Sequence, residues 1–345
     1  LEEVTTILGS DAAEFIKAYD VTAAGNWEHT NILNTRDLGA IRNSDLAAAR
    51  KKLLAERDKR IRPHLDDKVV VSWNAFMIEA FAYAGWSMNE PAYVEAAERA
   101  EAFVRKHLYR DGRLLRHYRG GPAEVTGYLE DYAYMGRALV ALYETTFESD
   151  YLKQAEFLAD EMVRLFHRAE GGFVFSGSDA ETLLAPVIEV YDGAIPSGNS
   201  TAASFLLRLV HLTGVAARRD MGWDTVRAFG AQLERSPSCF MEMISGLVFA
   251  VGPGSDVVID GDRDDIEVQR MLDVLRGRFA PNTVVAFRPG GDSPDIVELI
   301  PYVKAQTAID GRPTAYVCRN YACKLPVQDA VSYTHLTLPT ITSGC

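Results

Sequence analysis

The chain has 345 residues, 48% hydrophobic and 24% charged, with a formal net charge of −12, the profile of a soluble globular protein with room for one large domain or two ordinary ones. The acidic balance, without any Lys/Arg run interleaved with aromatics, argues against nucleic acid as a partner. No apolar run approaches the ~18 residues of a membrane span, and no signal-peptide pattern opens the chain at Leu1, so a cytoplasmic protein is expected, one that starts as though cut from something longer.

The first 40 residues hold a short amphipathic piece, DAAEFIKAYDV, with Asp11 as its expected N-cap, and a polar loop, AAGNWEHTNILNT. From Ser44, SDLAAARKKLLAERDKR reads as a charged helix with Leu46, Ala49, Leu53 and Leu54 on its buried side, ended by Pro63. SWNAFMIEAFAYAGWSM is almost wholly apolar with Ser72 as its expected cap. PAYVEAAERAEAFVRKHLY is amphipathic, with Pro91 in its first turn, and DGRLLRHY makes a turn and short strand. The order then returns: GYLEDYAYMGRALVALYETTF is apolar-rich, DYLKQAEFLADEMVRLFH amphipathic, and EGGFVFSG again turn plus strand. SGNSTAASFLLRLVHLTG begins a third unit, whose more polar helix ends near Leu233.

An apolar helix followed by an amphipathic one, repeated, is the signature of stacked helical hairpins. A helix apolar all round needs burial on both sides, so the apolar helices should form an inner ring and the amphipathic ones an outer ring. The fold class expected is mainly α, an incomplete α/α toroid. After Gly254 come a strand (SDVVIDG), a helix (IEVQRMLDVLRGRFA) and strands in NTVVAFRP and TAYVCRNYAC, a small α/β unit. Its glycine loops match neither dinucleotide nor Walker A fingerprints, and no cofactor or metal site is expected. The organisation is thus an N-terminal segment (1–43), a toroid (44–253), an α/β unit (254–330) and a tail (331–345) that reads as non-native, so His335 and Cys345 stand outside functional reasoning.

Five stretches occur in order: DDKVVVSWNAFMIEA, GYLEDYAYMGRALVALYE, GGFVFS, VYDGAIPSGNS and AIDGRPTAYVCRNYACKLPV. Together they resemble the C-terminal part of the thioredoxin-domain family that includes spermatogenesis-associated protein 20 and bacterial YyaL. The resemblance implies a toroid similar to N-acylglucosamine 2-epimerases and six-hairpin glycosidases, preceded in the family by a thioredoxin-like domain that is expected to be missing from these residues. That missing domain is an expected partner.

In such a toroid the ligand cleft lies at one mouth, among the starts of the inner helices. Three polar clusters fall there: Asp67, Trp73 and Asn74; Tyr128, Glu130 and Asp131; and Glu189, Tyr191, Asp192 and Asn199. Carboxylates can move protons at a hydroxyl or glycosidic oxygen, amides hold hydroxyls, and aromatic faces cover a sugar's apolar side. Glu130, Asp131 and Asp192 are therefore the candidate catalytic residues, and the others candidate substrate-binding residues. Acids in a first helical turn also arise on dipole grounds alone, and Trp73 and Tyr128 suit a core. Glu79 reads as a residue that snorkels or pairs rather than catalyses. No histidine, among them His64, His117 and His211, matches a family motif. The expectation is a carbohydrate-active or carbohydrate-binding domain (an epimerase, isomerase or glycoside hydrolase if catalytic) taking a sugar-like small molecule; the alternative is a non-catalytic scaffold or peptide-binding module. Cys318 and Cys323, four residues apart, fit neither a thioredoxin motif nor a zinc site; buried thiols at a strand end are expected, with a regulatory disulfide as the other possibility.

Overall fold

A computed structural model describes residues 1–181, 184–252, 254–291, 293–319 and 322–337. The chain divides into two compact units, Leu1–Asp67 and Lys68–Cys345. In the first, helices α1 (Glu2–Leu8), α2 (Ala12–Ala18), α3 (Leu38–Arg42) and α4 (Ser44–Arg57) share a core of Leu8, Phe15, Tyr19, Leu46 and Ala49. Asn43 caps α4, accepting from the Asp45 and Leu46 amides, whereas the Asp11 side chain caps nothing and pairs with Lys52. The helix expected to open the toroid therefore belongs to this N-terminal core. It ends at Arg57, before Pro63, and Leu54 is exposed.

The second unit begins with β1 (Val69–Val70), which runs into α5 (Val71–Met88). Ser72 lies inside α5 and does not cap it. Then come α6 (Pro91–His107), opened by Pro91 as expected, short strands β2 (Tyr109–Arg110), β3 (Arg113–Leu114) and β4 (His117–Tyr118), then α7 (Leu129–Thr146) and α8 (Ser149–Phe166). α9 (Gly198–Thr213) starts on the Ser197 hydroxyl, which accepts from the Ser200 amide, and is followed by α10 (Ala216–Ala228), α11 (Gly230–Arg235) and α12 (Met241–Val251). EGGFVFSG makes an isolated bridge, His167 to Phe173, rather than a strand.

Successive inner helices α5, α7, α9 and α12 pack side by side, and α6, α8 and α10 back them on the outside. This is an α/α toroid arc of three hairpins plus the inner helix α12, counted among the described residues. Every residue of α7 except Arg137 is buried, as an all-round apolar helix between two neighbours requires. α7 and α9 approach so closely that a Cβ on Gly136 would stand 2.4 Å from the Phe205 ring. α5 departs from the expectation. Its Ala75, Ile78 and Ala82 are buried, but Trp73 and Met77 on another face are exposed, because α7 flanks it on one side only.

Beyond α12 lies a four-stranded sheet in the order β6-β5-β7-β8. β5 (Ser255–Gly261) runs parallel to β6 (Thr283–Pro289) through α13 (Ile266–Arg276), and antiparallel to β7 (Thr314–Arg319), which itself pairs antiparallel with β8 (Ala322–Cys323). α14 (Pro294–Leu299) connects β6 to β7. Alternation divides the faces: Val258, Val284 and Ala286 join the toroid core, while Val257, Ile259, Val285 and Val317 form a second core with Val268, Met271 and Leu272 of α13. α15 (Ala330–Thr337), within the stretch expected to be non-native, folds here and buries Tyr333 in that second core. Residues 338–345 of the tail, Cys345 among them, and the side chain of His335 lie outside the described residues.

Candidate functional site

Helical spacing directs one stripe from each inner helix into the bore: Glu79 and Tyr83 from α5, Arg137 and Glu144 from α7, Ser204 and Arg208 from α9, and Glu242 with Phe249 from α12. Together with the segment Phe279–Thr283 that leads into β6, they line a cavity of about 440 Å³. Arg137 bridges two helices, meeting Glu79 Oε1 at 2.6 Å on one side and Glu242 Oε1 on the other. The Ser204 hydroxyl donates to the same Glu242 oxygen at 2.7 Å. Two turns along α7, Arg208 and Glu144 form a bidentate pair at 2.8–3.0 Å, and Arg208 also donates to the carbonyls of Pro281 and Thr283.

Burial pushes the Glu242 carboxyl above the usual range, against the pull of Arg137 and Ser204. Burial also works against the charge of Arg137, but Glu79 and Glu242 outweigh it and hold the guanidinium more firmly protonated than usual. The same opposition, with Glu144 as the main counter-charge, holds for Arg208. Arg137 and Arg208, set among largely apolar neighbours in α7 and α9, were the signal that could have pointed to this arrangement, since a buried cation must find carboxylates. Glu242 had no such signal, because α12 falls between the third hairpin and the α/β unit in a stretch the repeat pattern does not reach.

The mouth residues divide by role. Asp131 is fully buried, accepts from the amides of Ser72 (3.0 Å) and Tyr128 (2.9 Å), and contacts Arg116 through both oxygens at 2.8 Å. It thereby ties the start of α7 to the start of α5, and burial lifts it to about 6 despite Arg116. Glu130 shares that Arg116, at 2.6 Å. Asp192 accepts from the amides of Ser197 and Glu242, both at 2.8 Å, joining the starts of α9 and α12. Asn199 brackets Phe173 through both backbone groups and holds the Glu189 carbonyl, while the Glu189 side chain is exposed. Asn74 donates to the Val70 carbonyl. Tyr128 stacks on Phe175 at 4.4 Å beneath Arg116. Trp73 and Tyr191 are exposed, so Trp73 is not the core residue its composition suggests.

Glu130, Asp192 and Glu242 all bear electrostatically on Tyr134, whose hydroxyl donates to the Pro196 carbonyl. Glu130 and Asp131 share Arg116, and Asp192 accepts from the backbone amide of Glu242, but none of the three, nor any other expected mouth residue, lines the cavity. Asp67 closes the N-terminal unit as an exposed residue. His211 pairs with Asp256 at 3.1 Å instead of facing the mouth. Of the two expectations for Glu79, snorkelling or pairing, the structure shows the second, with Arg137. Among the described residues no group of three His, Cys, Asp or Glu is placed to hold a metal, and no helix is long and apolar enough to cross a membrane.

Cys318 is buried at the end of β7, as expected, but it is not a free thiol: a disulfide joins it to Cys323 across the β7–β8 pair. The antiparallel pairing of β7 with β8 sets the two positions opposite one another.

These features define an arc of an α/α toroid with a charged bore and an α/β cap. No family model matches the chain. It is related, over nearly its whole length, to spermatogenesis-associated protein 20: it is 30% identical to the human protein over 94% of this chain and 45% of that one, and 31% identical to the rat protein over 91% and 44%. The chain spans about 45% of the length of the human relative. Among solved structures, cellobiose 2-epimerase from Spirochaeta thermophila is 22% identical with a TM-score of 0.40, covering 47% of this chain and 43% of that one. A GH76 α-mannanase from Bacteroides thetaiotaomicron is 15% identical with a TM-score of 0.41, covering 56% and 57%.

Proposed function

We propose that the bore binds a small, hydroxyl-rich, sugar-like molecule, with Glu242, Glu79 and Arg137 as its polar contacts and Trp86 and Phe249 as apolar walls. The cavity of about 440 Å³ with those side chains converging on it carries the reading; its size lies within the ~300–1,000 Å³ of small-molecule sites. Carboxylates and guanidinium groups accept from and donate to vicinal hydroxyls, and aromatic faces cover ring C–H groups. Glu242, lifted by burial, is the side chain best suited to lend a proton. Asp192 enters as the post that sets the first turn of α12, and Asp131 as the corresponding post for α5 and α7. A reaction at this site would be proton transfer at a sugar carbon or oxygen.

The second reading, a scaffold for a protein or peptide, draws on exposed apolar side chains of α12, namely Met241, Val248 and Val251. A panel of mono- and disaccharides, screened by thermal shift and then calorimetry, separates the two. The sugar reading expects at least one saturable ligand whose affinity falls about tenfold or more in Glu242→Gln and is unchanged in the remote Glu101→Gln. No shift from any sugar, or equal affinity in both variants, overturns it and leaves the scaffold.

A further inference from the structure

We propose that Cys318 and Cys323 form a thiol–disulfide exchange site, taking two electrons from a dithiol. The two sulfurs are linked, yet their surroundings differ. Cys318 is 6% exposed on the toroid-facing side of the sheet, whereas Cys323 is an exposed residue on the edge strand β8. An incoming thiolate therefore has access to one end of the bond. A disulfide closed over so short a loop, with one partner on an edge strand, constrains little of the fold, since the entropy it removes from the unfolded chain is small for short loops. Stability alone gives it little reason to be there.

Gln306 supplies the second observation. This buried side chain, just after the 3₁₀ turn Pro301–Ala305, places its amide nitrogen 3.4 Å from Cys318 Sγ and 3.5 Å from Cys323 Sγ. Its carbonyl oxygen is buried with no hydrogen-bond partner among the described residues. A disulfide has no hydrogen to give that oxygen, but a reduced Cys318 or Cys323 has an S–H. The amide N–H groups, in turn, interact more strongly with a thiolate than with a disulfide sulfur. The pocket is thus one donor and one acceptor better matched to the reduced pair than to the oxidised one, and a buried orphan acceptor of this kind calls for an explanation.

The exchange balances as follows. A thiolate of the dithiol attacks Cys323 Sγ and forms a mixed disulfide. The Cys318–Cys323 bond breaks, and Cys318 leaves as a thiolate beside the Gln306 amide and takes a proton. The second thiolate of the dithiol then attacks its own mixed-disulfide sulfur, closing the dithiol into a disulfide and releasing Cys323. Two electrons pass to the pair, and the reverse sequence returns them.

The experiment is native redox titration of the full chain with dithiothreitol, quenched by iodoacetamide and read by peptide mapping. In the oxidised protein a Cys318–Cys323 linked peptide is expected; without denaturant it should convert reversibly to two alkylated cysteines. Separately, Cys323 in the Cys318→Ser variant should alkylate faster than Cys318 in Cys323→Ser, on the order of tenfold. Gln306→Leu should shift the wild-type midpoint toward the oxidised form. Absence of the linked peptide, reduction only after unfolding, or equal alkylation rates in the two variants would each overturn the proposal, and the wild-type titration decides it even if a variant misfolds.

Discussion

Glu101 sits in the middle of α6 with 1% of its surface exposed. Neither carboxylate oxygen has a hydrogen-bond donor in good geometry among the described residues, although Arg105 Nη2 lies 3.3 Å away. Burial lifts the carboxyl from 4.5 to about 7; Arg105 opposes the rise, and Asp150 and Glu98 add to it. The folded state therefore binds this proton more tightly than the unfolded chain does. Its contribution to stability is complete below the unfolded pKa and is lost as the pH climbs through the folded one. A shift of roughly 2.5 units at ~1.36 kcal/mol each corresponds to about 3 kcal/mol lost between mildly acidic and mildly alkaline solution. Glu101→Gln keeps the shape and removes the titration. Urea unfolding of both proteins from about pH 5 to about pH 9 should show the variant gaining on the wild type by up to about 3 kcal/mol, with most of the change between about pH 5 and pH 8. Taking the difference cancels the other lifted carboxyls, Asp131, Glu242 and Asp260. A difference that does not change with pH would refute the assignment of that buried charge.

Other substitutions test the architecture of the site. Asp192→Ala should cost about 1–3 kcal/mol, because it leaves the amides of Ser197 and Glu242 without their acceptor; chemical unfolding measures it. Gly136→Ala forces a methyl against Phe205 and should lower stability by about 1–3 kcal/mol. Gly230→Ala, where nothing lies within 4 Å of the added carbon, should be neutral or slightly stabilising in the same chemical unfolding measurement.

Much of the helical layout was legible in the residues. The alternation of apolar and amphipathic helices from Val71 to Ala228 and the proline start at Pro91 are local matters of spacing and turn chemistry, and they survive into the structure. The strand–helix–strand order after Ser255 is of the same kind. The site was legible only in part. The acids Asp131 and Asp192 each hold an amide on a second inner helix, at Ser72 and Glu242, a contact that their positions in the sequence cannot reveal. Glu242 lies on a short inner helix with no outer partner to complete the repeat, so periodicity passes over it.

By itself, then, the sequence determined the alternation of apolar and amphipathic helices that builds the hairpins, and the strand–helix–strand order after them. Only the tertiary structure decided which carboxylates meet Arg137 and Arg208, that α4 belongs to the N-terminal core, and that Cys318 faces Cys323 in register. Periodicity acts over one turn of a helix or one step of a strand. The contacts that build the bore and the disulfide join residues on different elements, and they exist only once those elements have packed.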